Sequence, residues 1–347
     1  MKSFESDFNL RLPLTHGLVR AVRTLGEFKG KEELFRRQMP QALETLRQVA
    51  IIQSTESSNR IEGVTASPER IRALIAEKTT PRNRSEQEIS GYRDVLNTIH
   101  ANYEAMPLSP GLILQLHRDL FKYSDRPGGA WKISQNRISE KLPDGTEAIR
   151  FDPVHPHLTM DYMNNLHERF TQFWTADDVD KLLLIPAYVL DFLCVHPFPD
   201  GNGRMARLIS LLLLYQAGYG VGRFVSLERV IENSKDGYYD TLYQSSQHWH
   251  ESEHSLIHWT EYFLGMLTAA YREFEQRVGL LTSSRGAKTE MVMDAISHFH
   301  GEFSVRDLQE QCPNVGIDLI RRLLKQEREA GRVEVSGRGP LAKWRRV

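Results

Sequence analysis

The twelve residues from His196 to Arg207, His-Pro-Phe-Pro-Asp-Gly-Asn-Gly-Arg-Met-Ala-Arg, hold a base, a carboxylate, a glycine turn and two guanidinium groups. His196 supplies a base that titrates near neutrality. Asp200 is a hard oxygen ligand suited to bridge Mg²⁺ to phosphate, since that ion takes one or two carboxylates and keeps several waters. Gly201, Asn202 and Gly203 lead into a helix start, where unpaired backbone N–H groups and the positive end of the helix dipole converge and attract an anion. Arg204 and Arg207 lie three residues apart at that same start. Two cations there oppose the dipole and repel each other unless a polyanion is bound. The set describes phosphoryl-type transfer: a base for an incoming hydroxyl, a metal for charge, and N–H groups with arginines for developing oxyanions. No lysine-bearing P-loop is present.

The flanking segments must position this loop. From Val179 to Val195, and again from Leu208 to Tyr215, nearly every residue is apolar or aromatic, the pattern of helices buried on all sides. Two core helices therefore flank a polar loop in which two prolines and two glycines end the first helix and turn the backbone into the second. A lone histidine in such a place ordinarily just ends a helix. The convergence of His, Asp, Gly-Asn-Gly and two arginines outweighs that plainer account.

A second charge is out of place. Glu62, in Ser58-Asn59-Arg60-Ile61-Glu62-Gly63, puts a carboxylate at the C-terminal, partially negative end of a helix, which is unfavourable unless a cation is near. Arg207 is an equally misplaced cation, so an ion pair between Glu62 and Arg207 is expected.

The segment His196–Arg207 resembles the Fic family motif His-x-Phe-x-(Asp/Glu)-Gly-Asn-Gly-Arg-x-x-Arg at every fixed position. The resemblance implies a protein adenylyltransferase that uses ATP and Mg²⁺ to modify a Ser, Thr or Tyr hydroxyl. His196 would deprotonate the target hydroxyl, Phe198 would anchor the loop, Asp200 would hold Mg²⁺, and Gly201 to Gly203 would bind the α- and β-phosphates. Arg204 and Arg207 would hold the β- and γ-phosphates. Ser58–Gly63 resembles the family's inhibitory motif (Ser/Thr)-x-x-x-Glu-(Gly/Asn), with Glu62 occupying the arginine that the γ-phosphate needs. In some family members the same Glu positions a water that removes AMP. Tyr238 and Tyr239 resemble the aromatics that bound the adenine pocket, with Tyr239 the candidate for nucleotide contact. The partners implied are a protein substrate with an accessible hydroxyl, with self-modification and a homodimer left open.

Elsewhere the sequence reads as a mainly α protein. Helical periodicity runs over Pro40–Ile61, 68–77, 86–103 and on through 161–269. The exception is 131–152, where Trp131, Ile133, Ile138, Ile149 and Phe151 flank a turn signal at 142–146, predicting a β-hairpin in the position of the family's flap. Residues 281–288 loosen into a linker, and helices near 289–299, 304–311 and 315–330 followed by two short strands suggest a winged helix-turn-helix. The expected division is an N-terminal helical region over 1–105 with the inhibitory helix, a Fic core over 106–280, and a winged domain over 289–347.

Other features carry less. A formal net charge of −1 excludes a whole-chain polyanion binder. Basic residues near the wing, Arg338, Lys343, Arg345 and Arg346, keep a second function in view, a nucleotide-sensing transcriptional regulator that binds DNA through the wing. An intact His196 speaks against it, because a sensor needs no base. His248, His250 and His254 read as a hydrated turn before a metal site, and Cys194 as a buried apolar residue. Two cysteines make no disulfide framework, and no apolar stretch is long enough to span a bilayer. The expected location is cytoplasmic.

Overall fold

The computed structural model describes all residues except 6–7, 127, 142–145, 284–285, 300, 313–314, 338–341 and 347. The chain is mainly helical. Helices α1 (Phe8–Arg11), α2 (His16–Gln38), α3 (Pro40–Ile61), α4 (Pro68–Ile75), α5 (Arg84–Asn102) and α6 (Pro110–Leu120) precede an antiparallel hairpin, β1 (Ile138–Lys141) and β2 (Glu147–Phe151). Then come α7 (Pro156–Ala176), α8 (Lys181–Val195), α9 (Asn202–Gln216), α10 (Leu227–Asn233), α11 (Lys235–Ser246) and α12 (Ile257–Ser283). The chain closes with α13 (Ala287–His298), α14 (Val305–Gln311), α15 (Ile317–Glu329) and a second hairpin, β3 (Val333–Ser336) with β4 (Lys343–Arg346). The residues divide into two compact units, Met1–Lys29 with Leu46–Tyr271, and Gly30–Thr45 with Arg272–Val347.

In the first unit α8 and α9 are the centre. Leu182, Leu184, Ile185, Tyr188 and Phe192 of α8 and Leu208, Ile209 and Leu212 of α9 are fully enclosed, as their unbroken apolar sequences require. Helices α7 and α5 pack against this pair, and α6 packs against α5. The helix starts follow their local chemistry. Ser67 caps α4, accepting from the Arg70 N–H at 3.4 Å with Pro68 in the first turn, and Asn83 caps α5 through the Glu86 N–H at 3.0 Å.

Among the polar residues of this core, Asp191 is fully buried on α8. Its carboxylate accepts from the Ser3 hydroxyl at 2.7 Å and from the Trp249 indole N–H at 2.6 Å. Burial nonetheless pushes its pKa up to about 6.

In the second unit, α13, α14 and α15 precede the β3–β4 hairpin, the expected order of elements, and Phe303 bridges to Trp344 of β4. Ser304 and Asp307 form a reciprocal capping box at the start of α14. Ile320, Leu323 and Leu324 of α15 are buried together with Glu327, which pairs with Arg332 at 2.6 Å, while Asp318, Arg321, Arg322, Lys325, Arg328 and Glu329 are exposed. The wing cations are partly committed: Arg345 pairs with Glu334 at 2.5 Å and Arg346 donates to the Ser297 carbonyl at 2.6 Å. Arg338 and the 142–145 part of the turn signal lie outside the described residues. Helix α12 continues to Ser283, so the interval before α13 is shorter than the linker expected from residue 281, because no glycine or proline breaks the helix between Gly279 and Gly286. Among the described residues, no helix is long and apolar enough to cross a membrane.

The contact between α5 and α6 rests on one absent side chain. A Cβ at Gly91 would lie 1.9 Å from the Leu120 carbonyl oxygen, and both atoms belong to backbone that cannot yield cheaply. Gly91→Ala is expected to destabilise the protein by about 2 kcal/mol or more through overpacking. Thermal unfolding checks this, and an unchanged midpoint would show that the helices are not held so close.

Candidate active site

Helix α8 ends at His196, whose φ of 50° and ψ of 59° place it in the left-handed region while its N–H still bonds the Phe192 carbonyl at 2.9 Å. The loop that follows is closed by Asn202, the first residue of α9. Its Oδ1 accepts the Phe198 N–H at 2.9 Å and its Nδ2 donates to the Phe198 carbonyl at 2.7 Å. Phe198 is fully buried, so the loop is pinned from beneath by its own side chain.

The backbone of the loop is held by residues that the sequence did not single out for this. Lys132 donates its backbone N–H to the Pro197 carbonyl at 2.8 Å and its buried Nζ to the Val195 carbonyl at 3.1 Å. Asn136 Nδ2 reaches the carbonyls of His196 at 3.1 Å and Phe198 at 2.9 Å. His117 stacks on Phe198 with ring centres 3.6 Å apart and planes 3° from parallel, and its Nε2 is 3.1 Å from the Asp200 carbonyl. The carbonyls of residues 195, 196, 197, 198 and 200 thus all have donors, which a rigid loop requires.

The candidate residues converge on one cavity of about 370 Å³, within the range of small-ligand sites. His196, Asp200, Gly201, Asn202, Gly203, Arg207, Glu62 and Tyr239 all line it. Arg204 does not. Its buried guanidinium turns to Glu88 at 2.6 Å and reaches Asp200 at 3.5 Å, while Arg84 bridges the same two carboxylates at 2.7 and 3.3 Å. Glu88 and Arg84 carried no signal in the sequence beyond an i,i+4 pair of opposite charges.

Glu62 and Arg207 meet at 2.8 Å. Arg207 also donates to the Ser58 hydroxyl and the Ser58 carbonyl, both at 2.9 Å, and its Nη1 is buried without a hydrogen-bond partner. The end of α3 is tied further by Lys235 Nζ on the Ile61 carbonyl at 2.9 Å and by Arg60 on Glu232 at 3.3 Å. Glu62 fills space left by a glycine: a Cβ at Gly203 would fall 2.2 Å from its Oε1. Tyr238 and Tyr239 both line the cavity, and Tyr238 is otherwise buried against Trp259 and Tyr262. From the hairpin, Arg150 crosses to α11, pairing with Asp240 at 3.2 Å over the ring of Tyr243.

Residues 107–214 match the Fic/DOC family. The chain therefore carries a Fic/DOC domain over this segment. It is similar to the protein adenylyltransferase Fic of Drosophila erecta, 25% identical over 186 residues that make up 51% of this chain and 35% of that protein. The protein adenylyltransferase fic-1 of Caenorhabditis elegans is 28% identical over 111 residues, 31% of this chain and 19% of its own. The matches thus span about a third of these relatives' length or less. In fold it is similar to a Fic family protein from Desulfovibrio desulfuricans G20, with a TM-score of 0.64 and 21% identity over 97% of this chain and 98% of that one. A Fic domain containing signalling protein from Bacteroides thetaiotaomicron VPI-5482 gives 0.60 and 20% over 73% and 95%.

The electrostatics of this Fic loop suit a neutral base beside an anion site. Burial lowers the His196 pKa to about 4, against the pull of the Leu193 carbonyl, with the charge of Lys132 adding to the depression. A carbonyl only accepts, so the 3.2 Å contact to Leu193 puts the proton on Nδ1 and leaves the Nε2 lone pair free. Burial is the largest influence on Arg207 and works against its charge, but Glu62 together with Tyr238 and Tyr92 outweighs it and raises its pKa. Asp200 keeps a half-exposed carboxylate, with Oδ1 accepting the Gly201 N–H at 2.6 Å. Among the described residues no group of three or more His, Cys, Asp or Glu could hold a metal. A metal at Asp200 would therefore complete its shell from phosphate and water, which fits Mg²⁺ with a polyphosphate. Of the three histidines of 248–254, two are engaged separately, His250 on the Asp152 carbonyl at 2.8 Å and His254 on Ser3 at 3.0 Å. Cys194 is buried and its thiol pKa is pushed up, away from nucleophile character.

Burial holds His117, His167, His196 and His254 near pKa 4 and His100 near 3, below their unfolded value. Between about pH 6.5 and 4 the unfolded chain binds protons that the folded chain refuses, so stability falls on acidification. Asp191, raised to about 6, works the other way but is one group against five. The urea midpoint is expected to be lower at pH 5 than at pH 7; an equal or higher midpoint would contradict the buried-neutral assignment.

Proposed function

We propose that this protein transfers AMP from ATP, with Mg²⁺, to a hydroxyl of a protein, and that Glu62 restrains the reaction. The observation that carries the reading is the occupied cradle: a carboxylate sits on a buried arginine at the N-terminus of α9, beside a neutral histidine. Similarity to protein adenylyltransferases of Drosophila erecta and Caenorhabditis elegans supports the same chemistry.

In this reading the Nε2 of His196 takes the proton from the target hydroxyl as its oxygen bonds to the α-phosphorus. The bond to the β-phosphate oxygen breaks and pyrophosphate leaves, while the α9 N–H groups and Arg207 hold the phosphate charge. Mg²⁺, when bound, neutralises charge on the phosphates, and Asp200 is the residue that would hold it. Arg204 stands behind the loop, anchored on Glu88 at 2.6 Å and only loosely in reach of Asp200 at 3.5 Å. Tyr239 borders the space for the base. The β1–β2 hairpin offers backbone to an extended target segment. Residues 1–105 serve as the inhibitory region, 106–280 as the catalytic core, and 289–347 as a winged docking domain.

With Glu62 on Arg207, the γ-phosphate lacks its cation and ATP sits misaligned. Glu62→Gly is expected to raise labelling of protein by ATP and Mg²⁺ on the order of tenfold or more, and His196→Ala in that background to lower it by ~10²–10⁴-fold. The Glu62→Gly protein should also gain more thermal stability from ATP than the native chain does, because the nucleotide replaces the missing counter-charge. Unchanged labelling in Glu62→Gly would sink the restraint, and labelling that survives His196→Ala would sink the base.

A further inference from the structure

His117 lies 79 positions before His196 in the chain, yet its ring is built into the underside of the catalytic loop. Two backbone groups settle its tautomer. The Gly129 N–H, 2.9 Å from Nδ1, can only donate, so Nδ1 carries no proton. The Asp200 carbonyl, 3.1 Å from Nε2, can only accept, so Nε2 carries one. One neutral ring thus bridges two segments, the approach to the hairpin and the residue whose carboxylate faces the cavity.

The approach is made possible by two glycines. A Cβ at Gly128 would fall 2.4 Å from the His117 carbonyl oxygen, and Gly129 has a φ of +86° with a built Cβ 2.8 Å from Arg118. On the other side, the Asp200 carboxylate has, among the described residues, only loose side-chain partners, Arg84 at 3.3 Å and Arg204 at 3.5 Å. Its one close contact is to the neighbouring Gly201 N–H at 2.6 Å, within the same loop. What sets the direction of the carboxylate is therefore the orientation of its own peptide. That peptide is tied down by His117 Nε2, while the stacked ring fixes the height of Phe198 two residues before.

We infer that His117 is a positioning residue that aims the Asp200 carboxylate at the metal-bound phosphates of the nucleotide. The inference rests on the proposed nucleotide reading, and it concerns an imidazole that itself touches neither ligand nor reacting atom. A residue that merely packed the core would affect folding and all binding alike; one that aims Asp200 affects the part of nucleotide affinity that Mg²⁺ adds.

Two amides separate these roles. The side-chain amide of Asn overlays the Nδ1 side of the ring and can keep the Gly129 contact but not reach Asp200, whereas that of Gln overlays Nε2 and can donate to Asp200. Both lose the stack on Phe198, so the difference between them reads the hydrogen bond. In a Glu62→Gly parent, ATP binding is measured by calorimetry in EDTA and in Mg²⁺, with thermal unfolding to confirm that each variant is folded. His117→Asn is expected to lose about tenfold of the affinity that Mg²⁺ adds, with ATP binding in EDTA close to the parent's. His117→Gln should retain most of that gain. Equal Mg²⁺ gains in the two variants, or a loss in Asn that is the same with and without Mg²⁺, would overturn the inference while leaving the nucleotide reading intact. A parent that binds no ATP would overturn both.

Discussion

A guanidinium buried in a protein must be answered by a negative charge, and Arg207 is such a group. Its side chain is 3% exposed, on the first turns of a helix whose dipole already disfavours a cation. Removing the partner of a buried charge costs about 3–5 kcal/mol, so the site is never indifferent to what occupies it. In the structure the answer comes from Glu62, another charge at the wrong end of its helix. Two unfavourable placements cancel, and their cancellation joins α3 to α9.

Around that pair the loop from His196 to Gly203 is held as backbone more than as side chains. A loop of two prolines and two glycines offers many carbonyls and few donors of its own. Lys132, Asn136 and His117 supply the donors, and each belongs to the stretch between α6 and β1 or to α6 itself. The approach to the hairpin and the His196–Gly203 loop therefore share one set of hydrogen bonds. The fixed loop then leaves His196 uncharged, with one ring nitrogen spent on Leu193 and the other free.

What could be read in advance was what is local. The motif from His196 to Arg207, the two apolar helices and the capped start of α4 depend on neighbours in sequence, where composition and spacing speak directly. The Glu62–Arg207 contact was legible for a different reason, since each charge contradicted its own helix. The residues that hold the loop gave no such contradiction. His117, Lys132, Asn136 and Glu88 are ordinary polar residues whose partners lie far along the chain, and only the fold shows what they reach. Helix α2 was passed over because its glycines at 17, 26 and 30 and its scattered charges blur the apolar stripe. Arg204 shows the opposite error of emphasis: the motif marks it as a phosphate ligand, while its guanidinium is spent on Glu88 and Asp200.

Gly203 has a consequence for how this protein can change over generations. The empty volume at its α-carbon is the seat of the Glu62 carboxylate and, in the proposed reading, the floor of the phosphate cradle. Any side chain there meets the Glu62 oxygen at 2.2 Å, so a variant that ejects the restraint also spoils the cradle. The two properties cannot be uncoupled from the α9 side. In the same proposed reading, descendants freed from the restraint arise by altering the end of α3 and not Gly203, so lineages would lose regulation and keep chemistry more readily than the reverse.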